Sequence, residues 1–262
     1  MNLLIRPLKY INSLPFPVTV RHYASFGHIG RRLKDGELRS KESWQTLRDE
    51  HPRYRIPQDR ETWIHELSLN KDGQDDKLQE RINAFVALIE KEGIRTVYSI
   101  GAGGGVFEYY LKKRLPYIKI VASELTQMGV DRLRRVFIEC DTVERFDALN
   151  AEHWKKIGSD PEGVVFIYRN EREFSDEDWR KMFRYMDEAG VQKVFLGIMY
   201  MLTVSAFVQE KIRNLKRRFR GESVTFVGYL RSHEAFRTFW EDRYNEREIS
   251  FPNCRGLYLT RT

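Results

Sequence analysis

The stretch "GIRTVYSIGAGGGVFEYYLKKRLPYIKIVASELT", residues 93–126, places four glycines within the five positions 101–105. The β-branched and aromatic run before them reads as a buried strand. The residues after them, 106–114, read as a short helix, and "YIKIVAS" reads as a second strand. Glycine weakens any regular element, so such a cluster implies that something must come close to the main chain at this point.

The surrounding chain repeats the pattern. Leu78, Ile82, Phe85 and Ile89 fall on one helical stripe that Gly93 ends. A second helix is expected at 126–136 and a third strand within 142–148. "GVVFIYR" is the fourth strand and "VQKVFLGIMY" the fifth. "SDEDWRKMFRYMDEAG" has Ser175 as N-cap, acids in its first turn and Gly190 at its end, which marks both termini of a helix. Residues 207–219 form a helix with Val208, Ile212, Leu215 and Phe219 on one face as apolar anchors. "SVTFVGYL" is the sixth strand, "HEAFRTFWEDRY" a short helix whose Trp240 and Tyr244 pack in the core or lid a pocket, and "GLYLTR" the last strand. Alternation of this kind specifies an α/β fold: a doubly wound, mostly parallel seven-stranded sheet with helices on both faces and an antiparallel last strand. Residues 73–262 constitute this domain. Residues 1–72, rich in prolines, arginines and aromatics, form an irregular and helical N-terminal extension with short helices near 40–49 and 61–67, which caps the site.

In such sheets ligands bind beyond the carboxyl ends of the strands, where strand order reverses. Dinucleotide binding favours G-x-G-x-x-G, but the position that the third glycine would occupy is Val106. The spacing is instead G-x-G-x-G, at Gly101, Gly103 and Gly105. This short loop suits a ligand with no pyrophosphate.

Here the chain resembles the class I S-adenosylmethionine-dependent methyltransferases, in element order over roughly residues 73–262 and in specific motifs over 97–147. "VYSIGAGGG" is similar to the family's first motif, whose loop contacts the methionyl part of the cofactor. "IVASE" is similar to the second, where Glu124 stands 23 residues after Gly101 and the family's acid accepts from both ribose hydroxyls. A carboxylate offers two acceptor oxygens to a vicinal diol. "FDALN" resembles the segment after the third strand, which makes Asp147 the acceptor for the adenine amino group and gives Ala148 a backbone contact. Asp141 is the rival for that role. The resemblance implies S-adenosylmethionine as cofactor, held by Ser99, Ile100, Gly101, Ala102, Gly103, Gly105, Glu124, Leu125, Asp147, Ala148 and Tyr168. Ser99 departs from the pattern, because the family places an acid two residues before the first glycine. "YRNE" also lacks the Asn/Asp-Pro-Pro-Tyr signature of amino-group methylation of bases and glutamine.

The expected activity is therefore methyl transfer (EC 2.1.1.-) to oxygen or nitrogen of a small-molecule or sugar-containing acceptor. Alignment and water exclusion do most of the work in such a displacement. The strand exits offer Arg169, Tyr200 and His233 as catalytic candidates, His233 because imidazole titrates near neutrality. Arg169 and Arg231 are candidates to clamp an anionic acceptor or to pair with Glu171 and Glu234. The alternatives are an RNA methyltransferase, a silent cofactor-binding module and a nicotinamide enzyme.

Charge bears on the partner. The net charge is +7, and residues 1–60 carry +6 of it, with 12 Lys and Arg against 6 Asp and Glu. The run "KIRNLKRRFR", residues 211–220, adds a second patch and carries the RNA reading. No apolar run approaches a membrane span, and the mean hydropathy is −0.57. The start lacks a signal-peptide pattern. Cys140 and Cys254 are expected as reduced thiols, the protein as cytoplasmic, and no spacing resembles a metal site.

Overall fold

The computed structural model describes residues 13–25, 55–68, 77–158, 160–220 and 224–262. The helix expected near 40–49 lies outside them. The chain divides into two compact units.

The larger unit takes the described residues of 41–170, 181–199 and 243–262. Its sheet has seven strands: β2 (Thr96–Ile100), β3 (Lys119–Glu124), β4 (Thr142–Arg145), β5 (Gly163–Tyr168), β6 (Lys193–Ile198), β8 (Tyr244–Phe251) and β9 (Cys254–Arg261). They lie in the order β4-β3-β2-β5-β6-β9-β8. The first five are mutually parallel, and β9 runs antiparallel to β6 and to β8. β2 is buried at four of its five positions and β5 at five of six, as expected for parallel strands covered on both faces. The chain leaves β2 for β3 and β4 on one side and then crosses back to β5 and β6 on the other. Strand order therefore reverses between β2 and β5, the point at which sheets of this kind bind ligands.

The helices here are α1 (Arg60–Ser68), α2 (Leu78–Glu92), α3 (Val106–Arg114), α4 (Gln127–Val136) and α5 (Ala151–Ile157). α2 buries Leu78, Ile82, Phe85 and Ile89 as its periodicity requires. Gly93 closes it in the left-handed region (φ 63°), donating its N–H to Ile89 O. Phe85 lies 4.6 Å from Phe166 and 4.9 Å from Phe195 between ring centroids, so the helix seals one face of the sheet. α6 (Asp176–Glu188) is capped as expected. Asp178 N–H donates to Ser175 Oγ at 3.2 Å, and Ser175 N–H donates back to Asp178 Oδ2 at 2.8 Å.

The smaller unit takes the described residues of 1–40, 171–180 and 200–242. It contains β1 (Thr19–Ser25), β7 (Val224–Arg231), α7 (Val204–Arg220) and α8 (His233–Arg237). β1 and β7 form a two-stranded antiparallel sheet. This corrects the strand assignment: "SVTFVGYL" is a strand, but it pairs with β1 and does not join the large sheet. The seventh strand of that sheet is β8, which begins at the last residue of the stretch expected as a short helix and to which the sequence reading assigns no element. The helix stops at Arg237. Between its buried ends, β8 exposes Asn245, Arg247, Glu248 and Ser250 and half-buries Glu246 and Ile249, so no apolar run announces it. Trp240 and Tyr244 are buried, which favours core packing over a lid.

Candidate functional site

The loop after β2 is shaped by its glycines. Gly101, Gly103 and Gly105 have φ of 70°, 63° and 73°, a region that costs an L-residue about 1–2 kcal/mol. The loop is tied to β3: Ala102 N–H donates to Ser123 O at 2.8 Å, and Ser123 Oγ donates to Ser99 O at 2.8 Å. A Cβ at Gly101 would stand 2.6 Å from Asn170 Nδ2. Asn170, just past β5, donates that amide to Ile100 O at 2.8 Å, closing the switch point from its other side. Gly105 serves packing, since a Cβ there would meet Leu133 Cδ1 on α4 at 3.0 Å and Cδ1 of Phe137, which caps that helix, at 3.3 Å.

Glu124 ends β3 and is only 3% exposed. Gly103 N–H donates to its Oε1 at 2.5 Å. A buried carboxylate and a loop N–H are thus bonded across the β2–β3 exits. The chain beyond β4 joins them, with Phe146 N–H donating to Glu124 O at 3.0 Å. The next residue, Asp147, accepts Leu149 N–H on Oδ1 at 3.1 Å, and its own N–H donates to His153 Nδ1 at 2.7 Å. Ala148 is buried and its carbonyl accepts Trp154 Nε1–H at 2.9 Å. Asp141 sits before β4, at the amino ends of the strands, with Lys112 Nζ at 2.7 Å and Ile120 N–H at 2.8 Å.

Two residues at the loop went unnoticed in the sequence. Glu108, in the first turn of α3, is 3% exposed and accepts Ser99 Oγ–H on Oε1 at 2.5 Å. Its Oε2 is buried with no hydrogen-bond partner. Burial, the largest cause, pushes the carboxyl up to about 7, and the Glu124 carboxylate adds to the rise. An acid three residues past the last glycine was the available signal. The second is Trp63 on α1. Its indole donates to Gly104 O at 2.8 Å and lies 5.6 Å from the Phe137 ring and 5.2 Å from that of Tyr109. Arg60, on the same helix, donates to Val136 O and pairs with Glu139. α1 therefore pins the loop from outside.

Ser99, Ile100, Gly101, Ala102, Gly103, Glu124 and Leu125 meet at the carboxyl ends of β2 and β3. Tyr168 ends β5, where its ring packs 5.0 Å from Phe107 and Cδ2 fills the space beside Gly197. Arg169 follows with φ 63°, its N–H donating to Gly197 O at 3.1 Å. Tyr200 and His233 belong to the smaller unit. Tyr200 N–H donates to Glu171 Oε1 at 3.0 Å, its exposed ring lies under Arg172, and His233 opens α8. Arg231 is fully buried, bonded to Asp176 Oδ1 at 2.7 Å and to the carbonyls of Glu171 and Phe174. Its guanidinium is spent on the fold, which corrects its reading as an anion clamp.

Solved structures with this architecture carry the comparison further. Human N-acetylserotonin methyltransferase in complex with S-adenosylmethionine matches with a TM-score of 0.53 at 9% identity, over 82% of this chain and 57% of that one. An O-methyltransferase from Nostoc punctiforme, so described provisionally, gives 0.53 at 13%, over 82% and 62%. A magnesium protoporphyrin IX methyltransferase from Synechocystis with bound S-adenosylmethionine gives 0.50 at 12%, over 85% and 97%. The chain has the class I S-adenosylmethionine-dependent methyltransferase fold. It spans less than two thirds of the length of the human and Nostoc proteins. No family model and no curated protein matches the sequence. Within this fold, the glycine loop follows β2 at the strand-order reversal, the place where α/β sheets bind ligands, and Glu124 ends the neighbouring β3.

Proposed function

We propose that the chain is an S-adenosylmethionine-dependent methyltransferase acting on oxygen or nitrogen of a small-molecule or sugar-containing acceptor. The observation that carries this reading is the buried Glu124 carboxylate joined to the glycine loop through the Gly103 N–H at the β2–β3 exits. The residues present fit the group, since a left-handed glycine loop admits a ligand against its backbone and a carboxylate at the end of β3 is an acceptor for a ribose hydroxyl.

When bound, the cofactor supplies a methyl group on a sulfonium whose departure leaves a neutral thioether. The loop from Gly101 to Gly103 would hold its amino-acid part, Glu124 its ribose, and Asp147 with Ala148 its adenine. Asp141 is set aside because it precedes β4, at the amino ends of the strands and away from the glycine loop. Glu108 behind Ser99 supplies the acid that the family places two residues before the first glycine. Its proton leaves near neutral pH, so the pair can turn negative as a cationic ammonium arrives. Arg169 holds a strained backbone at the β5 exit, a condition that persists where it serves a site, and we assign it to an anionic group on the acceptor.

Titration calorimetry with S-adenosylhomocysteine tests the reading. One saturable site per chain is expected, and Glu124→Ala should weaken it by about 1.5–3 kcal/mol, or roughly ten- to 150-fold. An absence of binding at millimolar ligand would overturn it.

A further inference from the structure

α7 is assembled inside out. A surface helix ordinarily turns its apolar stripe inward, but here polar residues face the β1–β7 pair. Glu210 is buried, pairs with His22 Nδ1 at 3.0 Å and accepts from Asn214 Nδ2 at 3.3 Å, while Arg217 donates to Tyr23 O at 2.6 Å. The apolar face points the other way. Val204, Val208, Ile212, Leu215 and Phe219, spaced 4, 4, 3 and 4 apart, are 40–83% exposed. This corrects the reading of Val208, Ile212, Leu215 and Phe219 as anchors. Among the described residues, they are half of the ten large hydrophobic side chains that remain exposed. The stripe is about 22 Å long at 1.5 Å per residue.

Cations line both borders of the stripe. At about 100° per residue, Lys211 falls on one flank and Lys216 and Arg220 on the other, all exposed. The helix carries six Lys and Arg against one Glu. Exposed apolar patches of this extent mark interaction surfaces, and the flanking charge selects the occupant. A second copy packed stripe to stripe would bring two such basic borders together, an arrangement that like charges oppose. An anionic bilayer offers both complements at once: acyl chains for the stripe and, a few ångströms above, a plane of negative headgroups for the cations. No helix among the described residues is long and apolar enough to cross a membrane.

We propose that α7 is an interfacial anchor, lying flat on an anionic lipid bilayer with its apolar stripe in the headgroup–acyl boundary. The proposal is independent of the cofactor reading. The test is co-sedimentation of the full chain with vesicles of mixed phosphatidylcholine and phosphatidylglycerol, and with phosphatidylcholine alone. Binding is expected to the anionic vesicles, weakened by salt and by removing the phosphatidylglycerol. The double variant Ile212→Ser/Phe219→Ser should lose at least about tenfold in vesicle affinity, with an unchanged circular dichroism spectrum because both side chains face solvent. Lys211→Gln/Lys216→Gln/Arg220→Gln should lose the phosphatidylglycerol preference. Absence of sedimentation with anionic vesicles would overturn the proposal, as would binding that survives the double variant. A lipid-free dimer that the double variant dissolves would assign the stripe to a second copy. RNA binding indifferent to that variant, without vesicle binding, would assign the cations to nucleic acid.

Discussion

The glycine loop of the larger unit and α7 of the smaller one were both conspicuous in the sequence, and the structure treats them in opposite ways. At the loop, every local rule points the same way as the fold. Positive φ angles fall on glycines, buried strands flank them, and the one acid at the end of β3 is turned toward the loop. At α7 the helix is where its periodicity puts it, yet its apolar face is outside and its glutamate inside. A backbone constraint is settled by the residue that bears it. The direction a helix faces is settled by what it packs against, which helical periodicity does not record.

The contrast yields predictions in descending size. Trp63 joins core packing to the loop through Gly104, so Trp63→Ala should cost about 3–5 kcal/mol of stability, read as a lowered denaturant midpoint. A shift of under 1 kcal/mol would detach α1 from the core. Glu108 comes next. Its carboxyl is raised from the usual 4.5 to about 7 in the folded state, so the folded chain holds the proton more tightly. Its contribution is fully present below pH 4.5 and is lost as pH rises through about 7, on the order of 3 kcal/mol in all. Glu108→Gln should flatten that slope in denaturation measured across the window, and an unchanged slope would place the titration elsewhere. Gly101→Ala puts a Cβ 2.6 Å from Asn170 Nδ2 at φ 70°, which should cost about 1–2 kcal/mol and lower affinity for S-adenosylhomocysteine; a neutral variant would show that the loop yields. The smallest effect belongs to α7. Ile212→Ser/Phe219→Ser should change stability by no more than about 0.5 kcal/mol per site, although both replaced side chains are apolar. A loss near that of Trp63→Ala would mean that the face is buried after all.

The sequence made much of the larger unit legible. The β2 and β3 strands, the α2 stripe with its Gly93 stop, and the Ser175 cap each declare themselves through burial pattern or end chemistry confined to a few residues. β7 announced itself as a strand but not its partner, because pairing with β1 joins segments some 200 residues apart in the chain. β8 stayed hidden because an edge strand needs only half its side chains apolar, and its charges resemble those of a solvated helix. Glu108 lies in a stretch that the sequence marks only as a short helix. Its burial is visible only once Ser99 and α3 are seen together.

The most direct test follows the amide signals of Gly101, Ala102 and Gly103 and the Glu124 side-chain carboxyl by nuclear magnetic resonance as S-adenosylhomocysteine is added. The account predicts that they move together to a common saturation point while the signals of α7 stay still. Loop and Glu124 signals that remain in place at saturating ligand, or a response confined to α7, would contradict it.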